Sequence, residues 1–231
     1  SELRDNLSMI SQAGKFLTEM VNDILDFSKI EAGMIEVERM PFSLSALLGD
    51  IAPMFVFHAE RSGIAFRVSA DPTLPDVFTG DPLRLKQILF NLLGNAMKFK
   101  KRGFVRLAVT GVPLGEFSYE IRFTVSDTGV GMSEDFMTKL FSKFSQEDDN
   151  STRRFDGTGL GMAITMEMVQ LMGGHIEVQS QKNQGSVFDV IIKLPIGDPT
   201  KLYVGISENK IHNLKGVRIL LVEDNDMNRY I

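Results

Sequence analysis

A chain of 231 residues, 43% of them hydrophobic, can bury at least one full core, and its length predicts one to two domains. A net charge of −5 argues against a nucleic-acid partner, because phosphate-backbone binding needs a clustered cationic surface and the run Lys98-Phe-Lys-Lys-Arg102 is too short to supply one. The absence of cysteine excludes a disulfide framework, a thiolate zinc site and a cysteine nucleophile, which fits a reducing, cytoplasmic compartment; no stretch approaches the roughly 18 to 20 apolar residues of a membrane span, so no membrane contact by this segment is expected, while a longer parent protein is free to be anchored.

Residues 1–31 read as one long helix. Leu3, Leu7, Ile10, Gly14, Leu17, Val21, Ile24 and Ser28 recur at spacings of four and three, and Ala13, Met20 and Phe27 widen the stripe. A seam sustained over about four heptads asks for partner helices, although packing on its own domain accounts for the same pattern. Gly33 supplies a left-handed stop.

Pro41 marks a boundary, after which helical and strand-like segments alternate. Residues 43–61 look helical, Ile64 to Val68 alternates as a strand, and Asp81-Pro82 opens a helix to about residue 101 as N-cap and first-turn proline. Phe104–Thr110 and Tyr119–Ser126 form a hairpin around a turn at Gly111-Val-Pro-Leu-Gly115. Residues 133–156 are polar and irregular, a helix spans about 159–172, and strands follow at 175–180 and 186–194 around Lys182-Asn-Gln-Gly185. The order predicts a two-layer α/β sandwich with a mixed sheet, preceded by a long coiled-coil or bundle helix. Pro195 to Lys215 reads as a linker, and Gly216-Val-Arg-Ile-Leu-Leu-Val-Glu-Asp-Asn-Asp226 as a buried-type strand running into an acid cluster, the start of a domain too short here to bury itself.

Three segments have residues suited to chemistry. On the 81–101 helix, Arg84, Gln87, Asn91, Asn95 and Lys98 share one polar edge opposite Leu85, Leu89, Leu92, Ala96 and Phe99. Two asparagines and a lysine at one-turn intervals offer neutral oxygens and a cation, a set suited to a phosphate chain with Mg²⁺; a solvated helix face has the same spacing. Asp127-Thr-Gly-Val-Gly-Met132 ends a strand, where glycines allow close approach of a flat ligand and a carboxylate can accept from an exocyclic amine such as that of adenine; a tight turn has the same pattern. Asp156-Gly-Thr-Gly-Leu-Gly161 runs into a helix N-terminus, whose free N–H groups and dipole favour an anion. It follows a polar loop rather than a strand, which excludes a dinucleotide-binding reading. Arg153 and Arg154 in that loop are placed to reach phosphates or to be solvated.

Five motifs stand in a specific order: Asn91-Leu-Leu-Gly-Asn-Ala-Met-Lys-Phe99, Asp127-Thr-Gly-Val-Gly131, Leu140-Phe-Ser-Lys-Phe144, Gly157-Thr-Gly-Leu-Gly161 and Gly185-Ser-Val-Phe188. Together they resemble the catalytic ATP-binding domain of sensor histidine kinases, the Bergerat-type fold shared with gyrase, heat-shock chaperones and mismatch-repair ATPases, over about residues 40–195. The resemblance implies ATP and Mg²⁺ as ligands, with Asn95 as the Mg²⁺ ligand, Asn91 beside it and Lys98 on a phosphate. It makes Asp127 the adenine-reading carboxylate, Gly129 and Gly131 the pocket floor, and Phe99 and Met132 its apolar walls. Gly157, Thr158, Gly159, Leu160 and Gly161 would form the lid hinge and phosphate loop, and Ser186 belongs to the last motif. Lys100 departs from the small hydroxyl residue usual after Lys-Phe, with little effect expected. The family's ATPases carry a water-activating glutamate four residues before the metal-binding asparagine; here that position is Asn91, which implies transfer to a protein rather than hydrolysis.

The N-terminal helix, ending Asn22-Asp-Ile-Leu-Asp-Phe-Ser-Lys-Ile-Glu-Ala-Gly33, resembles the second helix of a dimerisation and phosphotransfer hairpin, and Leu220-Leu-Val-Glu-Asp-Asn225 the opening of a receiver domain with Glu223 and Asp224 as Mg²⁺-binding acids. The expected organisation is therefore a partial hairpin at 1–33, the ATP-binding domain at 34–195, a linker at 196–215 and a truncated receiver at 216–231. Neither phosphoacceptor lies in the chain, so no catalytic nucleophile is expected within it. The implied function is that of a hybrid histidine kinase in a two-component phosphorelay, with a homodimer partner through the first helix, a receiver in cis and a downstream phosphotransfer protein. The alternative is a degenerate kinase that binds nucleotide or dimerises without transfer.

Overall fold

The computed structural model describes residues 2–98, 103–147 and 158–202, with side chains in the first helix only at position 14 and from 17 on, apart from 19. Phe99, Lys100, Arg153, Arg154, Gly157, Glu223, Asp224, most of the expected linker and the expected receiver start lie outside the described residues.

Helix α1 (Glu2–Glu31) ends where the periodicity predicts, with Gly33 at φ +64° and the Met34 N–H reaching back to the Lys29 carbonyl, the 6→1 bond of a glycine-stopped helix. Among the described residues its last turns touch the rest of the chain: Ile30 is buried and Phe27 packs on the core, while Leu17, Val21, Ile24 and Leu25 stay about half exposed. Among the described residues no helix is long and apolar enough to cross a membrane.

A short pair of strands, β1 (Met40–Ser43) and β3 (Val77–Gly80), forms a two-stranded antiparallel sheet absent from the sequence expectation. Four residues each give too little alternation to read, and Pro41 sits inside β1 rather than only marking a boundary; a two-stranded ribbon leaves the proline a side without a ladder partner. Between these strands lie α2 (Leu44–Ser62) and β2 (Ile64–Ala70). Ser43 caps α2 by accepting from the Ala46 N–H. Asp76 holds the same end, accepting from the Ser43 hydroxyl at 2.7 Å and the Ser45 N–H at 2.8 Å. Burial raises the Asp76 pKa, but these bonds outweigh it and hold the carboxyl below its ordinary value.

Helix α3 (Pro82–Lys98) buries Leu85, Ile88, Leu89, Leu92, Leu93, Ala96 and Met97. Strands β4 (Gly103–Pro113) and β5 (Ser118–Asp127) follow, then the single-turn helix α4 (Glu134–Met137), α5 (Gly161–Leu171), β6 (His175–Gln181) and β7 (Gly185–Pro195). The five-stranded sheet has the order β2-β4-β5-β7-β6, parallel between β2 and β4 and antiparallel elsewhere, which is the expected mixed sheet. Val105, Leu107, Val109, Ile121, Phe123, Val125, Val190 and Ile192 alternate onto the face covered by α2, α3 and α5; Arg106, Arg122, Thr124 and Asp189 alternate to the open face.

Two local expectations need correction. The Gly111–Gly115 stretch is not wholly turn, because Gly111, Val112 and Pro113 pair with Ile121, Glu120 and Tyr119 and the loop shrinks to residues 114–117. Gly111 stays in the ladder because a Cβ there would meet Ile121 Cδ1 at 2.8 Å, so it is a close approach rather than a turn. The start of the 133–156 loop is also ordered, with Ser133 capping α4 and Leu140 buried. Beyond β7, Ile196 bridges to Phe78, the Gly197 N–H donates to the Val77 carbonyl, and Pro199–Lys201 form one 3₁₀ turn.

Asp81, 2% exposed, connects two elements: one carboxylate oxygen accepts from the Arg84 N–H as the cap of α3, and the other from the Glu38 N–H ahead of β1. Replacing it by alanine removes the carboxylate partner of two part-buried N–H groups. Asp81→Ala is expected to cost about 2 kcal/mol in urea unfolding with an unchanged m-value, and a loss below about 0.5 kcal/mol would contradict this double role.

Candidate functional site

The leucine face of α3 fixes the rotation of that helix, so its asparagine edge must meet α5. The Asn91 amide nitrogen donates to the Thr165 hydroxyl at 2.6 Å, with Thr165 itself 1% exposed. One turn on, the Asn95 amide nitrogen points at the Met162 sulfur, 3.5 Å away. Both amides are thus turned with nitrogen toward α5. The Asn91 oxygen faces the loop, because a Cβ built on Gly161 would lie 2.7 Å from it. Gln87, Asn91, Gly161 and Thr165 line a cavity of about 80 Å³, with Asp23 of α1 in its wall. Lys98 ends α3 one turn beyond Asn95 and is exposed.

The glycine loop enters α5 under equal constraint. Gly159 has φ +72°, and a Cβ on it would come within 2.8 Å of the Phe144 backbone. Phe144 is itself at φ +60°, an unfavourable conformation for a bulky residue, with its ring exposed. The Thr158 hydroxyl accepts from the Leu160 N–H at 3.1 Å and donates to the Asp23 carboxylate at 2.6 Å. Leu160 is buried and anchors the loop to the core.

At the end of β5, Asp127 accepts from the Gly129 N–H at 2.6 Å, which folds the chain back at once. Gly131 (φ +59°) lies on the turn between β6 and β7 so closely that a Cβ would sit 1.9 Å from the Gln181 carbonyl oxygen. Gly185 (φ +104°) lies equally close to the Asp127 carbonyl, 2.0 Å from a built Cβ. Ser180 fastens this contact: its hydroxyl takes the Met132 N–H at 2.9 Å, donates to the Gly185 carbonyl at 3.0 Å and lies 2.9 Å from the Ser186 hydroxyl. Ser186 is therefore a buried support beneath Asp127, its register partner across β5 and β7. Met132 packs on the core at the same loop.

Glu147 closes the base of this loop, accepting from the Ser133 N–H at 3.1 Å and pairing with Lys182 at 3.1 Å. Burial raises the Glu147 pKa, but Ser133 and Lys182 outweigh it and hold the value below the ordinary 4.5. With a depressed folded-state value, the contribution of this tie is present above pH 4.5 and is lost as the pH falls through the folded-state value.

The structure thus brings Asn91, Asn95, Thr158, Gly159, Leu160 and Gly161 together, and separately Asp127, Gly129, Gly131, Met132 and Ser186, with α3 packed on both α5 and β5. Thr165, Ser180, Glu147 and Asp23 are the participants sequence reasoning missed. Thr165 was within reach, one helical turn after Gly161; the other three act through contacts made only in the fold.

Residues 80–197 match the family model described as histidine kinase-, DNA gyrase B-, and HSP90-like ATPase, and the chain belongs to that family. The signal transduction histidine-protein kinase BarA of Shigella flexneri is 38% identical over 222 residues, covering 96% of this chain and 24% of BarA. The hybrid signal transduction histidine kinase B of Dictyostelium discoideum is 35% identical over 199 residues, 86% of this chain and 10% of the relative. The chain spans about a quarter or less of the length of these curated relatives. Full-length ShkA, crystallised in complex with AMPPNP, superposes with a TM-score of 0.72 at 31% identity over 85% of this chain and 40% of that one. Within the family, the chain therefore stands with the ATPase-like domains of hybrid sensor histidine kinases.

The tight approach at Gly131 yields a graded expectation. Gly131→Ala should destabilise the chain by at least about 3 kcal/mol, whereas Gly115→Ala, also at positive φ but with open space around it, should cost about 1 kcal/mol in the same denaturant titration. Equal losses would contradict the packing.

Proposed function

We propose that the chain binds Mg-ATP between α3 and the glycine loop opening α5, and that in the full-length protein the γ-phosphoryl group passes to a histidine outside these residues and then to a receiver aspartate. The observation that carries this reading is the Asn91–Asn95 edge of α3, held with nitrogens toward α5 and facing a glycine loop at a helix N-terminus. The names of the relatives, and AMPPNP in ShkA, support the same reading.

The donor set suits Mg²⁺ carried in with phosphates. Among the described residues no group of three or more His, Asp or Glu side chains is placed to hold a metal ion, whereas the Asn91 and Asn95 oxygens are neutral, hard ligands. The Asn91 and Asn95 oxygens would hold a bound Mg²⁺, which would supply charge neutralisation at the transferring group. The first N–H groups of α5 would hold phosphate oxygens, Lys98 would add a cation, and Asp127 would accept from the adenine amine. The nitrogen of Asn91 is committed to Thr165, and an amide cannot take a proton from water, so hydrolysis has no base on this helix. In this reading residues 1–33 are the second helix of a dimerisation and phosphotransfer hairpin, 34–195 the catalytic unit, 196–215 a linker and 216–231 the start of a receiver in which Glu223 and Asp224 hold Mg²⁺.

Asn95→Ala in the full-length protein is expected to lower Mg-ATP-dependent autophosphorylation by at least about 100-fold, followed by radiolabel transfer from γ-labelled ATP. Labelling retained near the wild-type level would refute the assignment. Residues 1–231 alone should release almost no phosphate from Mg-ATP in a steady-state assay.

A further inference from the structure

Helix α1 has two faces. Its apolar residues Leu17, Val21 and Ile24 point outward, while the carboxylates of Asp23, Asp26 and Glu31 reach the rest of the chain. Glu31 pairs with Lys143 at 2.5 Å, and the same ammonium lies 4.4 Å from the centre of the Phe27 ring. Asp26 accepts from the Gln87 amide at 2.8 Å, and Asp23 accepts from the Thr158 hydroxyl at 2.6 Å. The last contact differs from the other two in where it falls. Thr158 also accepts from Leu160 at the start of α5, so the Asp23 carboxylate sits one hydroxyl away from the positive end of that helix, and it forms part of the wall of the Asn91–Gly161 cavity. At about 80 Å³ that cavity is well below the roughly 300 Å³ at which ligand pockets begin, so with Asp23 docked it does not by itself hold a nucleotide.

The geometry points to Asp23 as an internal anion that competes with the nucleotide for the N-terminal end of α5, making α1 docking and nucleotide binding mutually opposed. This inference rests on the nucleotide-binding reading above. A triphosphate at the α5 N-terminus would bring like charges together in a partly desolvated cleft, and Thr158 has a single proton to donate. Either the carboxylate or the phosphate receives it. By linkage, whatever docks α1 weakens nucleotide binding, and nucleotide binding loosens α1 by the same factor. The latch would therefore report occupancy of the site to the helix whose outward face is apolar and unpartnered among the described residues.

The test is calorimetric titration of the 231-residue chain with Mg-AMPPNP, comparing wild type with Asp23→Ala. Phe27→Ala serves as a second variant, since it removes an apolar anchor of α1 without touching Thr158. The expected result is a dissociation constant about 5- to 10-fold lower for Asp23→Ala and lowered in the same direction for Phe27→Ala. Saturable binding with unchanged or weaker affinity in Asp23→Ala would overturn the latch and leave the nucleotide reading standing. No saturable binding by any of the three proteins would overturn both.

Discussion

A methyl group on the first residue of α5 would push aside the Asn91 side chain of α3. The Gly161 backbone lies against the Asn91 side-chain oxygen, and the Asn91 nitrogen holds Thr165 one turn further along α5. That approach depends on the leucine face of α3 being fully buried, because a helix free to roll would carry its asparagines away from the loop. Hydrophobic burial on one side of α3 thereby determines polar geometry on the other. The same device recurs at the end of β5, where Gly131 and Gly185 let two turns interlock at backbone distance and Ser180 fastens them. The parts of the site most exacting in space are those with no side chain.

The α1 contact is largely polar. The sheet and its helices are joined by aliphatic and aromatic side chains, but α1 is tied by carboxylates to a hydroxyl, an amide and a lysine, with Phe27 and Ile30 as its apolar anchors. Exposed ion pairs such as Glu31–Lys143 contribute little stability. A helix held this way can be displaced at modest cost.

Much of this was legible in the residues alone. The helix at α3 could be read from leucine spacing and from Asp81-Pro82, and its asparagine edge from the same wheel. The five-stranded mixed sheet follows from alternation in β4, β5 and β7, where each strand is long enough for a period of two to show. The β1–β3 ribbon escaped because four residues have no period to detect, and Gly111 was misread because a glycine needed for cross-strand contact with Ile121 looks the same as one needed for a turn. At the site, the glycines and asparagines were legible as residue types, although a solvated helix face and a tight turn have the same patterns. Ser180, Glu147 and Asp23 were not, since a serine, a glutamate or an aspartate acquires its meaning here only from partners 5, 14 and 135 residues away.

On the proposed reading one nucleotide bridges the asparagine edge of α3, the Asp127 loop and the start of α5. Amide hydrogen exchange of the 231-residue chain, with and without saturating Mg-AMPPNP, tests it directly. Bound nucleotide is expected to slow exchange in three separate stretches together, residues 91–98, 127–132 and 158–165. Saturable binding with protection in only one of them, or with protection confined to the open face of the sheet around Arg106 and Arg122, would contradict that reading.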